Sequence, residues 1–202
     1  LAERWIAVAR GTPLQVVVHV GANCLSDARA LAAQAESLGA TATSALAPSF
    51  FKPRSIESLI ACCADIAQAA PSTPFYFYDI PPFTGVSLPM TDFLDQAPAR
   101  IPTLAGLKLS HPDLMLLLRC LQADKGRWDI CWGIDEWLLG ALATGARGAI
   151  GSSYNFAGPV YHKLIAAFER GDLAAARAAQ LESTRLISLL AGHGYMGAAK
   201  AL

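Results

Sequence analysis

Short runs of β-branched, aromatic and small apolar residues alternate along the chain with longer alanine- and leucine-rich stretches whose apolar positions recur at helical spacing. Six short runs read as strands: Leu14 to Gly21, Ala40 to Pro48, Pro74 to Pro81, Leu104 to Ser110, Trp128 to Asp135 and Ala146 to Asn155. Most are apolar at nearly every position, the pattern of strands covered on both faces. The stretches between them have helix punctuation: Ser26 is an expected N-cap before Asp27, Gly39 an expected stop, and Ser55 with Ser58 opens the next helix. Thr91 and Ser110 are read as further starts and Gly171 as a further stop. Repeated strand-then-helix units imply an α/β domain with a parallel sheet, either doubly wound or a (β/α)8 barrel. No GxGxxG or P-loop follows the first strand, so the barrel gains ground, although six strands are two short of closure.

Composition narrows the reading. The chain has 202 residues, 53% of them hydrophobic, which suffices to bury one large core, and residues 1–202 are read as a single domain. Sixteen basic and sixteen acidic residues cancel without forming a basic stripe. Neither nucleic acid nor an anionic membrane is an expected partner; a small molecule is. Cys24, Cys62, Cys63, Cys120 and Cys131 lack CxxC spacing and fall mostly in apolar segments, which suits free thiols in a reducing compartment and no zinc site. There is no charged leader with an apolar core and no apolar run of membrane-spanning length, so a cytoplasmic location is expected.

In either architecture the chemistry collects at the C-terminal strand ends, and here those ends are polar. Strand three ends in Tyr76, Phe77, Tyr78 and Asp79; strand four in Lys108, Leu109 and Ser110; strand five in Gly133, Ile134, Asp135 and Glu136; strand six in Gly151, Ser152, Ser153, Tyr154 and Asn155. Lys108 is the most informative. An ammonium in an apolar strand must be paired, reach water or be partly neutral, and a neutral amine can attack a ketone to form a Schiff base. Each residue also has a plainer role: a lysine at a strand end in solvent, a tyrosine bonded to a backbone carbonyl, Asp135 and Glu136 favouring a helix N-terminus, Ser152 and Asn155 as caps.

With these residues in view, the motifs FYFYDIPPFTGV, GLKLS, GIDEWLLGALATGARGAIGSSYN and LIAAFERGDLAAARAAQ resemble the N-acetylneuraminate lyase family, along essentially the whole chain. That family belongs to the pyruvate-dependent class I aldolases, together with dihydrodipicolinate synthase, and its fold is a (β/α)8 barrel assembled as a tetramer. The Tyr-x-Ile-Pro motif falls on Tyr78, Ile80 and Pro81, Gly-x-Lys on Gly106 and Lys108, Gly-x-Asp-Glu on Gly133, Asp135 and Glu136, and Gly-Ser-x-Tyr-Asn on Gly151, Ser152, Tyr154 and Asn155. The resemblance implies that Lys108 and Tyr78 are catalytic and that Ser110, Gly133, Asp135, Glu136 and Ser152 bind substrate. It implies reversible cleavage of N-acetylneuraminate, a sialic acid, to pyruvate and N-acetylmannosamine, with no metal or diffusible cofactor. Asp79 stands where the family often has Asn or His and is expected to tune the site. The family's first two strands and its carboxylate-binding loop have no counterpart here, so an incomplete TIM barrel, with about six of eight strands and a shortened C-terminal helix, is expected. Two alternatives remain open: another pyruvate aldolase, acting on a 2-keto-3-deoxy sugar acid or making dihydrodipicolinate, and a truncated, catalytically silent assembly subunit.

Overall fold

The computed structural model describes residues 1–202. Six strands form one all-parallel sheet in chain order: β1 (Val17–His19), β2 (Ala42–Leu46), β3 (Phe75–Asp79), β4 (Leu104–Leu109), β5 (Asp129–Trp132) and β6 (Gly148–Ala149). Each of the six expected runs contains one strand, shortened at its ends. The shortening is greatest in β6, whose ladder with β5 covers only Gly148 and Ala149 before residues 150–153 lead into a helix. Successive strands are joined by helical crossovers: α2 (Leu25–Leu38), α3 (Ile56–Ala67), α4 (Pro81–Thr84) with α5 (Met90–Gln96), α6 (Leu114–Gln122), and α7 (Leu138–Thr144). α1 (Ala2–Ala9) precedes the sheet, and α8 (Tyr154–Glu169), α9 (Leu173–Gly192) and α10 (Tyr195–Ala201) follow it.

The period of two along each strand divides the sheet into two unlike faces. Phe75, Phe77, Leu107, Leu109, Ile130 and Trp132 point to the helices and are buried in a continuous core with Ala28, Ala32 and Ala35 of α2 and Leu59, Ile60 and Cys63 of α3. The alternate positions Val17, His19, Ala42, Ser44, Tyr76, Tyr78, Lys108, Asp129 and Cys131 line a single cavity on the opposite face. Val17 belongs to one edge strand and Ile150 adjoins the other, and both reach that cavity, so the sheet curls around it. No ladder joins β1 to β6, and each pairs on one side only.

Some helix ends match their sequence signals. Ser55 and Ser58 form a reciprocal capping box at 3.1 Å in each direction, and Gly39 and Gly171 adopt left-handed backbone where their helices stop. Three expected starts are corrected. α2 begins at Leu25 with Cys24 at the cap position, so Ser26 lies inside the helix and its hydroxyl meets Cys24 Sγ at 3.0 Å. α5 begins at Met90, which places Thr91 in its first turn. Asp113, not Ser110, caps α6, accepting from Leu116 N at 2.9 Å, while Ser110 is buried against β5. No helix is long and apolar enough to cross a membrane.

Candidate active site

β3 and β4 pair in a register that puts Tyr78 beside Lys108, both on the cavity side because their outward neighbours are core residues. Lys108 Nζ lies 3.9 Å from the centroid of the Tyr78 ring. The ring face offers an ammonium an attraction of about 0.5–2 kcal/mol. The three ion pairs of the chain are Arg29 with Asp65, His111 with Asp79 and Arg127 with Asp124. Lys108 is therefore a half-buried amine without a carboxylate partner, and the Tyr78 hydroxyl takes no hydrogen bond from the fold that would occupy it.

The surrounding residues complete a chamber of about 470 Å³, within the range of small-molecule sites. On its β1 side, His19 meets Tyr78 edge-on at 6.0 Å, with its Nδ1 3.1 Å from Ser44 Oγ. Burial, reinforced by the positive charge of Lys108, holds the His19 imidazole below its ordinary pKa. On the β5 side, Cys131 is paired in register with Lys108, and burial pushes its thiol up to about 11, which makes it a poor competing nucleophile. One layer deeper, Tyr76 donates to Asp129 Oδ2 at 2.8 Å across β4. Gly106 lies beneath this bridge: a Cβ there would collide with the Asp129 backbone and come within 3.1 Å of the Tyr76 ring.

The remaining expected site residues form a rim at the strand ends, outside the chamber lining. Ser110 donates to the Gly133 carbonyl at 3.2 Å, and Gly133 packs so closely that an added Cβ would stand 3.0 Å from Lys108 Cε and overlap Ser110 Oγ. Glycine at 133 therefore preserves access to the amine. Asp135 is buried; its Oδ2 accepts from Ser153 N at 2.8 Å and from the Ser153 hydroxyl, and its carboxylate fills the space beside Gly151. One of its oxygens is thus committed to joining the end of β5 to the start of α8. Glu136 exposes its side chain, and Ser152 bonds Tyr195 of α10 at 2.8 Å. Ser152 is not a cap, and Asn155 donates to the Ser152 carbonyl at 2.9 Å.

Asp79 does not face the chamber. It points behind the sheet, 3% exposed, and pairs with His111. His19, Ser44 and Cys131 were not singled out from the sequence. Their signal was present as the alternate positions of strands whose other face is largely apolar, but apolar residues at nearly every position of a strand do not mark which set turns inward. The geometry suits a ketone: an unpaired amine for addition, a phenol against it for proton transfer, and a neighbourhood containing hydroxyls.

The sequence profile of the dihydrodipicolinate synthetase family matches residues 4–201. The chain is 45% identical over 180 residues to N-acetylneuraminate lyase A of Xenopus laevis, covering 89% of this chain and 59% of that protein. It superposes with a TM-score of 0.92 and 44% identity on the N-acetylneuraminate lyase (sialic acid aldolase) of Aliivibrio salmonicida, covering 96% of this chain and 64% of that one. A sialic acid aldolase of Ruminococcus gnavus, solved as a catalytic lysine mutant, superposes with a TM-score of 0.85 at 30% identity, covering 92% and 60%. The chain thus spans about three fifths of the length of these relatives.

Proposed function

The chain belongs to the dihydrodipicolinate synthetase family, and from that premise we propose that its protein is a Schiff-base aldolase that cleaves N-acetylneuraminate reversibly to pyruvate and N-acetylmannosamine. The observation that carries the proposal is the in-register stacking of Lys108 Nζ over Tyr78 at 3.9 Å in a chamber where no carboxylate claims the amine. The relatives at 38–45% identity are named N-acetylneuraminate lyases, and the dihydrodipicolinate synthases among the solved structures stand at 23% and 24% and support the fold alone.

In this reading the Lys108 amine adds to the C2 ketone of the open-chain sugar, and loss of water leaves a protonated imine. Tyr78 relays the proton of the C4 hydroxyl, accepting it on its oxygen as it passes its own phenolic proton to the substrate's carboxylate. The C3–C4 bond then breaks, its electrons flow into the imine as an enamine, and N-acetylmannosamine departs as the aldehyde. Protonation of the enamine carbon and hydrolysis release pyruvate and restore the amine. Ser110, Gly133, Glu136, Asp135 and Ser152 form the rim that receives the polyhydroxylated tail: Glu136 offers an open acceptor, Gly133 leaves room beside the amine, and Asp135 sets the rim's shape through Ser153. The chemistry uses side chains alone and needs no metal or diffusible cofactor. We further infer that the six strands belong to an eight-stranded (β/α)8 barrel and that the protein assembles as a homotetramer, as the family resemblance implies.

The test is pyruvate release from N-acetylneuraminate, compared with release from 2-keto-3-deoxy sugar acids and repeated with Lys108→Ala. The expected result is preferential cleavage of the sialic acid, abolished by the substitution. Preferential cleavage of the shorter acids, or activity that survives loss of the amine, contradicts the proposal.

A further inference from the structure

Behind the sheet, opposite the chamber, Asp79 Oδ2 lies 3.1 Å from His111 Nε2, with the Asp79 side chain 4% exposed and the His111 side chain 18% exposed. The two residues stand at consequential places in the chain. Asp79 follows Tyr78 at the end of β3, and His111 follows Lys108, Leu109 and Ser110 at the end of β4. The backbone carbonyl of Asp79 also accepts from Ser110 N at 2.8 Å, extending the ladder one residue beyond the strand. One residue thus fastens β3 to β4 twice: through its main chain to Ser110 and through its carboxylate to His111.

We infer that the Asp79–His111 pair is a positioning clamp for the reaction, holding the ends of β3 and β4 together so that Tyr78 and Lys108 keep their stacked geometry. The inference rests on the aldolase reading of Lys108 and Tyr78. Neither clamp residue touches the chamber, and both act through the residues beside them. Stacking of an amine over a phenol ring depends on the separation and twist of two strand ends, and misplacement of reacting groups by about 1 Å costs about a hundredfold in rate.

The groups around the clamp are few. His111 faces Asp79 and Asp113, the cap of α6, while Asp79 faces His111 and the Cys120 thiol of α6, beside which Arg119 lies. Burial pushes the Asp79 carboxyl above its ordinary 3.8, by more than the imidazole pulls it down. The hydrogen bond to Asp79 lifts His111 above its ordinary 6.5, against burial. Cys120, pushed up to about 12 by burial, stays neutral throughout. The charged clamp therefore exists between the raised carboxyl value and the raised imidazole value. As the pH climbs through the folded value of His111, the imidazolium loses its proton and the buried carboxylate loses its counter-charge, so the side-chain link weakens from a charged pair to a neutral donor's hydrogen bond beside the backbone one.

The experiment measures kcat and KM for N-acetylneuraminate cleavage across pH in the wild type, Asp79→Ala, Asp79→Asn and His111→Gln, with melting curves at each pH and borohydride trapping of pyruvate on Lys108 as a control. Asp79→Ala is expected to lower kcat at least about tenfold while KM stays within about twofold, the signature of lost positioning and not of lost binding. Asp79→Asn keeps an acceptor for His111 and is expected to recover part of that loss. His111→Gln keeps a donor that does not titrate, so the decline in kcat expected of the wild type as the pH rises through the raised folded value of His111 should flatten. Should Asp79→Ala fail to fold, His111→Gln still decides the matter, because His111 is partly exposed. Folded variants whose kcat profiles superimpose on the wild type would overturn the clamp while leaving the aldolase reading intact. A wild type that gives no adduct on Lys108 would overturn both.

Discussion

Lys108 and Tyr78 divide the proposed work so that each can be removed separately. Replacing Lys108 with methionine keeps the length and packing of the stem and deletes the nucleophile, so imine formation and turnover should both vanish. Tyr78→Phe keeps the ring beneath Nζ and deletes only the hydroxyl; pyruvate should still trap on Lys108 while kcat falls about 10² to 10⁴-fold, the usual worth of a positioned proton carrier. Comparing trapping with turnover in the two variants checks the division, and loss of trapping in Tyr78→Phe would contradict it. His19 makes a prediction about stability. Its folded pKa is lowered from 6.5, so in acid the unfolded chain takes up a proton that the folded chain refuses. Its contribution is complete above the unfolded value and is lost as the pH falls below 6.5 toward the folded one. Urea unfolding of wild type and His19→Gln should therefore show a stability difference that changes over that interval and is constant above it. At this scale the sequence was legible where a residue's chemistry conflicts with its surroundings, as at Lys108. It was less legible where direction matters: Asp79 directly follows Tyr78, and the period of two turns it away from the chamber into the helix layer.

The strands and helices place these residues through packing on the opposite face. Leu107 is fully buried between Gly106 and Lys108, so it anchors the strand that carries the amine. Leu107→Ala should cost about 2–5 kcal/mol in urea unfolding, as expected for a buried leucine. The Asp113 cap is a smaller support for the helix after β4, and Asp113→Ala should cost about 1 kcal/mol without altering trapping on Lys108. Equal losses from the two substitutions would mean that β4 is not held chiefly by its outward apolar side chains. All six strands were legible as apolar runs. Their ends were not, since a strand stops where its ladder stops, and the ladder depends on neighbouring strands distant in sequence. Cap positions at Ser26, Thr91 and Ser110 were misread for a related reason: a serine or threonine caps only if its own backbone is extended at the point where the helix begins, and Cys24, Pro89 and Asp113 occupy those points instead.

Across the whole molecule, a curled parallel sheet turns an apolar face to its helices and a mixed face to one chamber, and this asymmetry concentrates the chemistry. The six-stranded α/β architecture was legible from alternation alone, and the family from four motifs at strand ends. The rim was legible as residues but not as a division of labour, because the commitment of Asp135 to Ser153 and of Ser152 to Tyr195 joins segments 18 and 43 residues apart. The central claim is that Lys108 is the imine-forming amine of this molecule. Its most direct test is incubation with pyruvate and borohydride followed by peptide mass mapping, with Lys52, Lys125, Lys163 and Lys200 as internal controls. A reduced pyruvyl adduct on Lys108 and on none of the other four is the predicted result. A folded protein that carries no adduct, or carries it on another lysine, would contradict the account.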